Sequence, residues 1–234
     1  MKIDFLSCKY YFLTCDQPVR REHFLKEFSG LDVTEVHPVT GIDRLLSGVT
    51  GFSRMLDKAV SDLKGSSSFQ PFVLFEDDIK KYRDFPDSIE IPDDADVLYI
   101  GLSSYGMSEF SHCHELFYKG IDDNIVRIFN MLSLHGIVLC SMRGVLMFQK
   151  CLLESYFKHE PWDITATWFQ PYMNVYALRK PLVYQSAELG GQESPTKIEL
   201  QSFCRANIPH YWINTTSVAL LTSHPDCNAK HPLR

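Results

Sequence analysis

The sequence has no apolar run of membrane-spanning length, no CxxC pair, no glycine-rich phosphate loop and no excess of positive charge. Each absence removes a class of function. Without about 20 consecutive apolar residues, no transmembrane segment is expected. A net charge of −6 and a pI near 5.8 have the wrong sign for a broad grip on a phosphate backbone, so nucleic acid is not an expected partner. A small anionic ligand stays open, because a metal ion can neutralise it locally. The missing GxxxxGK[ST] and GxSxG patterns argue against P-loop enzymes and common hydrolases. The opening residues, MKIDFLSCKYYFL, lack a long apolar stretch and a small-residue cleavage site, so no secretory signal is expected.

The seven cysteines are odd in number, and several lie inside apolar runs, such as Cys140 in GIVLCSM and Cys151 in KCLLES. That predicts buried free thiols in a reducing, cytoplasmic compartment rather than a disulfide framework. The nine histidines suggest no zinc site: His112 and His114 flank Cys113, but a second ligand cluster is missing.

What is present suits one globular domain. A chain of 234 residues with 45% hydrophobic residues can bury a core without disulfides. Residues 3–7 read as a first strand ending in a loop, and 19–28 as a helix stopped by Gly30. Residues 32–37 read as a second strand, and 38–51 as a loop containing Thr40-Gly41. Phe52, Leu56, Ala59, Val60 and Leu63 recur at helical spacing before Gly65. Residues 66–68 read as a serine connector, and 71–75 as a continuously apolar central strand. Residues 97–102 and 136–141 read as further strands, 117–129 as a hairpin, and 142–157 as a helix. Alternating strands and helices over the first eighty residues predict a parallel α/β sheet that becomes mixed after about Asp96.

The segment Phe72-Val73-Leu74-Phe75-Glu76-Asp77-Asp78 places three acids directly after a buried strand. In an extended chain Glu76 and Asp78 project to one side and Asp77 to the other. Ligands of open α/β sheets sit beyond the carboxyl ends of the strands. Neighbouring carboxylates there repel one another unless a cation compensates them, and Mg²⁺ or Mn²⁺ takes such oxygens together with substrate phosphates. A solvated acidic turn is the plainer alternative.

The run GVTGFSRMLDKAVSDL followed by PFVLFEDDI resembles the signature of glycosyltransferase family 25. Residues 95–101 (ADVLYIG), 135–139 (HGIVL) with the helix after them, 161–163 (PWD) and 175–185 (VYALRKPLVYQ) resemble further family segments in the same order. The likeness covers roughly residues 1–185, loosely over the first fifty. It implies a GT-A fold, a Rossmann-like mixed sheet flanked by helices. A nucleotide-binding half would cover 1–102, an acceptor half 103–190 and a tail 191–234.

The implied activity is transfer of a sugar from a nucleotide-sugar, a UDP-sugar by preference, to a hydroxyl of a glycan or glycoprotein, with Mn²⁺ or Mg²⁺. Asp78 would be the main metal ligand, Glu76 would assist, and Asp77 would stand near the ribose or donor sugar. Thr40 and Gly41 would shape the nucleotide pocket. Arg54 and Lys58 could reach the base or phosphates, or form a solvated basic helix face. A third metal ligand has no matching position in the family pattern; His210 is the candidate. For an inverting transfer the candidate base is Asp163, whose place at a helix entry also suits a cap. Trp162 and Trp168 could offer the acceptor a ring face, or pack in the core. A cytoplasmic bacterial or large-DNA-virus enzyme fits this picture. The alternatives are a metal-dependent nucleotidyltransferase or phosphohydrolase, and a catalytically silent glycan-binding protein.

Overall fold

The computed structural model describes residues 1–15, 17–65, 68–103, 105–108, 111–113 and 116–191. His210, the tail after residue 191, and Ser66 and Ser67 of the connector lie outside the described residues. The chain opens with β1 (Lys2–Asp4), β2 (Lys9–Leu13) and helix α1 (Pro18–Glu27). Strand β3 (Val33–Val36), helix α2 (Arg44–Asp62) and strand β4 (Phe72–Glu76) follow. Next come β5 (Ile79–Lys81), β6 (Ser88–Glu90) and β7 (Val97–Tyr99). Two hairpins, β8 (Gly106–Ser108) with β9 (Ser111–Cys113) and β10 (Tyr118–Gly120) with β11 (Ile125–Ile128), precede β12 (Gly136–Leu139). Helices α3 (Met142–Lys158) and α4 (Trp162–Phe169) lead to β13 (Val175–Leu178) and β14 (Val183–Gln185).

Eight strands form one mixed sheet in the order β10-β11-β13-β7-β12-β4-β2-β3. β3, β2 and β4 run parallel, while β12 runs antiparallel to both β4 and β7. Alternation along the strands sends side chains to two cores. Tyr11, Leu13, Phe72 and Leu74 pack under α2, α3 and α4. Tyr10, Phe12, Val73 and Phe75 pack on the other face with Phe24 and Phe28 of the α1 region. There Phe12 stacks on Phe24 at 4.2 Å between ring centroids. The protein is thus mixed α/β, with helices on both faces of a large sheet. Among the described residues no helix is long and apolar enough to cross a membrane.

Two early expectations need correction. The strand expected over 3–7 is β1, which pairs with β6 outside the main sheet, whereas the central first strand is β2. Its run Lys9-Tyr10-Tyr11-Phe12-Leu13 is aromatic enough to be a buried strand, although it continues a polar, aromatic stretch. The loop expected over 38–51 ends at Asp43, whose carboxylate accepts from the N–H groups of Leu45 (3.0 Å) and Leu46 (3.2 Å) and starts α2 eight residues earlier than its apolar period suggests. Gly51 then lets the helix lie against the end of β2. A Cβ there would stand 2.7 Å from Leu13 Cδ1 and 3.3 Å from Pro38 Cα.

Asp96, buried ahead of β7, fixes the start of α3. It accepts from Ser141 Oγ at 2.7 Å, Arg143 Nη1 at 2.6 Å and Asn174 N at 2.9 Å. Ser141 in turn caps α3 by accepting from Gly144 N at 2.9 Å.

Candidate functional site

Parallel β2, β3 and β4 end at the same edge of the sheet, so Thr14-Cys15, Pro38-Val39 and the acids after Phe75 emerge side by side. β4 stops at Glu76, and Asp77-Asp78 turn the chain into β5. The extended alternation therefore does not run through all three acids, yet the acids still divide in two. Asp77 is buried and turns toward β2, accepting from Cys15 N at 2.7 Å and Cys15 Sγ at 3.3 Å. Asp78 and Glu76 meet the amide of Gln185, which donates to Asp78 Oδ2 at 3.0 Å and Glu76 Oε2 at 3.4 Å. Gln185 is held there because β14 pairs with β5 and Ser186 N donates to Asp78 O at 2.8 Å.

Arg20, on α1, places Nη1 3.5 Å from both Asp77 Oδ1 and Asp78 Oδ2. One guanidinium for three acids leaves the cluster under-compensated. Burial, opposed by Arg20 and reinforced by Asp77, pushes the Asp78 carboxyl up to about 6. Glu76 keeps a little surface toward the cleft. Burial and the charges of Asp78, Asp163 and Asp77 still hold its carboxyl well above the usual range. Asp78 Oδ1 is buried and accepts no hydrogen bond. An orphaned carboxylate oxygen inside a repelling pair is a position that a cation can satisfy.

Two clefts meet at Glu76. The first, about 540 Å³, is walled by Cys15, Arg20, Thr40, Gly41, Asp77 and Asp78, among others. Gly41 has φ +77°, a left-handed turn that brings bare backbone to this wall. The second, about 800 Å³, is walled by Ser103, Tyr105, Ser133, His159, Asp163 and Gln185, among others. Glu76, Arg44, Gly48 and Trp162 border both. Trp162 is part of the partition, packed on Phe52 with 3.6 Å between ring centroids. Asp163 sits in the first turn of α4, where it accepts from Ile164 N at 2.9 Å, and its charge is felt by Glu76 across the second cleft.

The structure thus brings together Glu76, Asp77, Asp78, Thr40, Gly41, Trp162 and Asp163. It does not bring Arg54 or Lys58. Arg54 is exposed on the middle of α2, and Lys58 pairs with Asp62 at 2.5 Å. Neither borders either cleft. The basic residues that do are Arg20 and Arg44, which the sequence reading missed. Trp168 packs against the core instead of the clefts.

Behind the second cleft, His135 is buried, with Nδ1 hydrogen-bonded to Ser133 Oγ and Nε2 unpartnered. Burial pushes its imidazole down to about 4, so it is neutral.

Among the described residues no three His, Cys, Asp or Glu side chains are arranged to hold a metal unaided. Glu76 and Asp78 are two oxygen donors of the kind that Mg²⁺ or Mn²⁺ uses when substrate phosphates complete its shell.

No family model and no curated protein matches the sequence. Among solved structures, the chain is similar to the crystal structure of A197 from STIV. The identity is 12% and the TM-score 0.38, over 87% of this chain and 98% of that one. A likeness that loose carries no argument about fold or activity.

Proposed function

We propose that this chain is a metal-dependent glycosyltransferase of the GT-A type, related to glycosyltransferase family 25, that moves a sugar from a UDP-sugar to a hydroxyl of a glycan or glycoprotein. The observation that carries this reading is the pair Glu76 and Asp78. They stand at a strand end, Asp78 buried and Glu76 half-buried, joined by Gln185 and left with the orphaned Asp78 Oδ1 beside a nucleotide-sized cleft. The resemblance of residues 71–79 and the segments after them to the family supports the same site.

Glu76 and Asp78 would hold the cation, and Mn²⁺ or Mg²⁺ bound there supplies Lewis-acid stabilisation of charge on a leaving diphosphate. Arg20 stands close enough to the acids to share that anion with the cation they would hold. Thr40 and Gly41 line the same cleft and would bound the nucleoside. The α2 N-terminus, entered through Gly41 and Arg44, adds its partial positive charge. The acceptor would enter the second cleft, where Asp163 takes the proton from its attacking hydroxyl and Trp162 separates the two substrates.

The test is UDP release from a panel of UDP-sugars with Mn²⁺, comparing wild type with Asp78→Ala. The variant is expected to lose about 100-fold or more in turnover. Release that survives Asp78→Ala would overturn the metal assignment. Mn²⁺-dependent UDP binding without turnover on any acceptor would favour a silent glycan-binding protein.

A further inference from the structure

Helix α3 buries one face and leaves the other strongly apolar. Among the described residues nine large hydrophobic side chains are exposed, and five of them lie on this one helix. Met142 is 45% exposed, Leu146 59%, Leu153 57%, Tyr156 46% and Phe157 76%. At about 100° per residue they fall within an arc of roughly 100°. They therefore form a ridge on one face, not scattered surface residues, with Met142 and Leu146 on one side of Gln149, and Leu153, Tyr156 and Phe157 on the other. A groove of about 360 Å³, walled by Val49, Asp57, Leu153 and Tyr156 among others, runs along its flank toward α2.

We infer that this ridge is a homodimer interface in which α3 packs antiparallel on α3 of a second copy about a two-fold axis. The sequence of the ridge is self-complementary about its middle. An axis between Gln149 and Lys150 sets Met142 opposite Phe157 and Leu146 opposite Leu153 of the second copy, and Arg143 opposite Tyr156. Met142, Leu146, Leu153 and Phe157 each then face an apolar partner, while Arg143 keeps its guanidinium on Asp96 and the carbonyl of Tyr172. Lys150 meets Gln149 rather than a second lysine, so no like charges oppose at the centre. A closed two-fold contact requires this kind of matching of a patch with itself.

The ridge supplies most of the area that a stable contact takes. With about 200 Å² for a fully exposed large side chain, the five residues present roughly 550 Å² per copy before any rim is counted. A stable interface takes about 800 Å² per partner, and the groove wall and polar rim can supply the difference. Antiparallel helix dipoles add to the pairing. The helix ends at His159, which borders the second cleft, so the partner's Met142 end would lie near that cleft's rim.

The test is sedimentation velocity of this 234-residue chain from about 1 to 100 μM, with dimerisation expected at micromolar concentration or below. The mass is expected to rise from 27.0 kDa to twice that value. Two double variants, Leu146→Lys with Leu153→Lys and Leu146→Glu with Leu153→Glu, are each expected to weaken dimerisation by about 100-fold or more. Mixed one to one, they are expected to regain a dimer, because the axis sets position 146 against position 153. Circular dichroism is expected to show that both keep the fold, as these side chains face outward. A wild-type chain that stays monomeric at 100 μM overturns the inference, including one that instead floats with phosphatidylcholine vesicles. So does a dimer that both double variants leave intact, or two monomeric variants that fail to pair when mixed.

Discussion

Replacing Asp78 with asparagine is expected to stabilise the metal-free protein while removing its response to metal. The carboxyl is pushed from its ordinary 3.8 up to about 6, chiefly by burial, with Asp77 adding and Arg20 and Gln185 opposing. At about 1.4 kcal/mol per pKa unit, holding it ionised at pH 7.5 costs about 3 kcal/mol. An acid with a raised folded-state pKa contributes stability below its unfolded value and loses it as pH rises through its folded value. Asparagine is neutral throughout. Wild type and variant should therefore be about equally stable near pH 4. The variant should draw ahead between about pH 4 and 6, where the unfolded carboxyl ionises and the folded one stays protonated, and lead by about 3 kcal/mol at pH 7.5. For a domain of this size that is roughly 6–12 °C in Tm. Relief of the repulsion on Glu76 acts in the same direction. The assay is thermal unfolding in EDTA from pH 4 to 8, repeated with Mn²⁺ and UDP, which should raise the Tm of wild type alone. A variant no more stable than wild type at pH 7.5, or a gap that does not change with pH, would refute the reasoning.

His135 gives a second pH signature of opposite sense. Its folded pKa is pushed down to about 4 from 6.5, so it contributes fully above pH 6.5 and loses about 3 kcal/mol as pH falls to 4. Urea unfolding of wild type and His135→Gln at pH 7 and 4.5 should show this loss in wild type only. Gly144→Ala should destabilise by about 2–3 kcal/mol in calorimetry, because a Cβ at that position would run into the backbone oxygen of Asp96, which cannot swing away.

The sequence pattern discloses the scaffold where a period or an uninterrupted run is long. β4 reads directly as an apolar run, and the second half of α2 from Phe52 to Leu63. The first half of α2 is hidden by Gly48 and Gly51, which carry no period and lower helix propensity. The acids at the end of β4 are legible for the same reason as the strand. Arg20 and Gln185 are not, because each reaches those acids through pairing that sequence spacing does not show. Arg20 comes by way of β2 lying beside β4, and Gln185 by way of β14 lying beside β5. Arg54 and Lys58 share a helix with the run that resembles the family, which is what points to them in the sequence. Only the first turns of α2 and Phe52 reach the cleft, so the distance along the helix axis, not the helical face, decides.

The bond from Gln185 to Asp78 joins residues 107 positions apart. Pairing over such a separation forms late, after closure of a long loop. A fragment ending before β14 keeps the parallel strands, Arg20 and all three acids, but lacks the amide that holds two of them together. Such a fragment would carry the cleft without its finished floor. The joining of Glu76 and Asp78 through one amide is therefore set near the end of the described chain, and during synthesis it would arrive only once almost the whole sheet has been made.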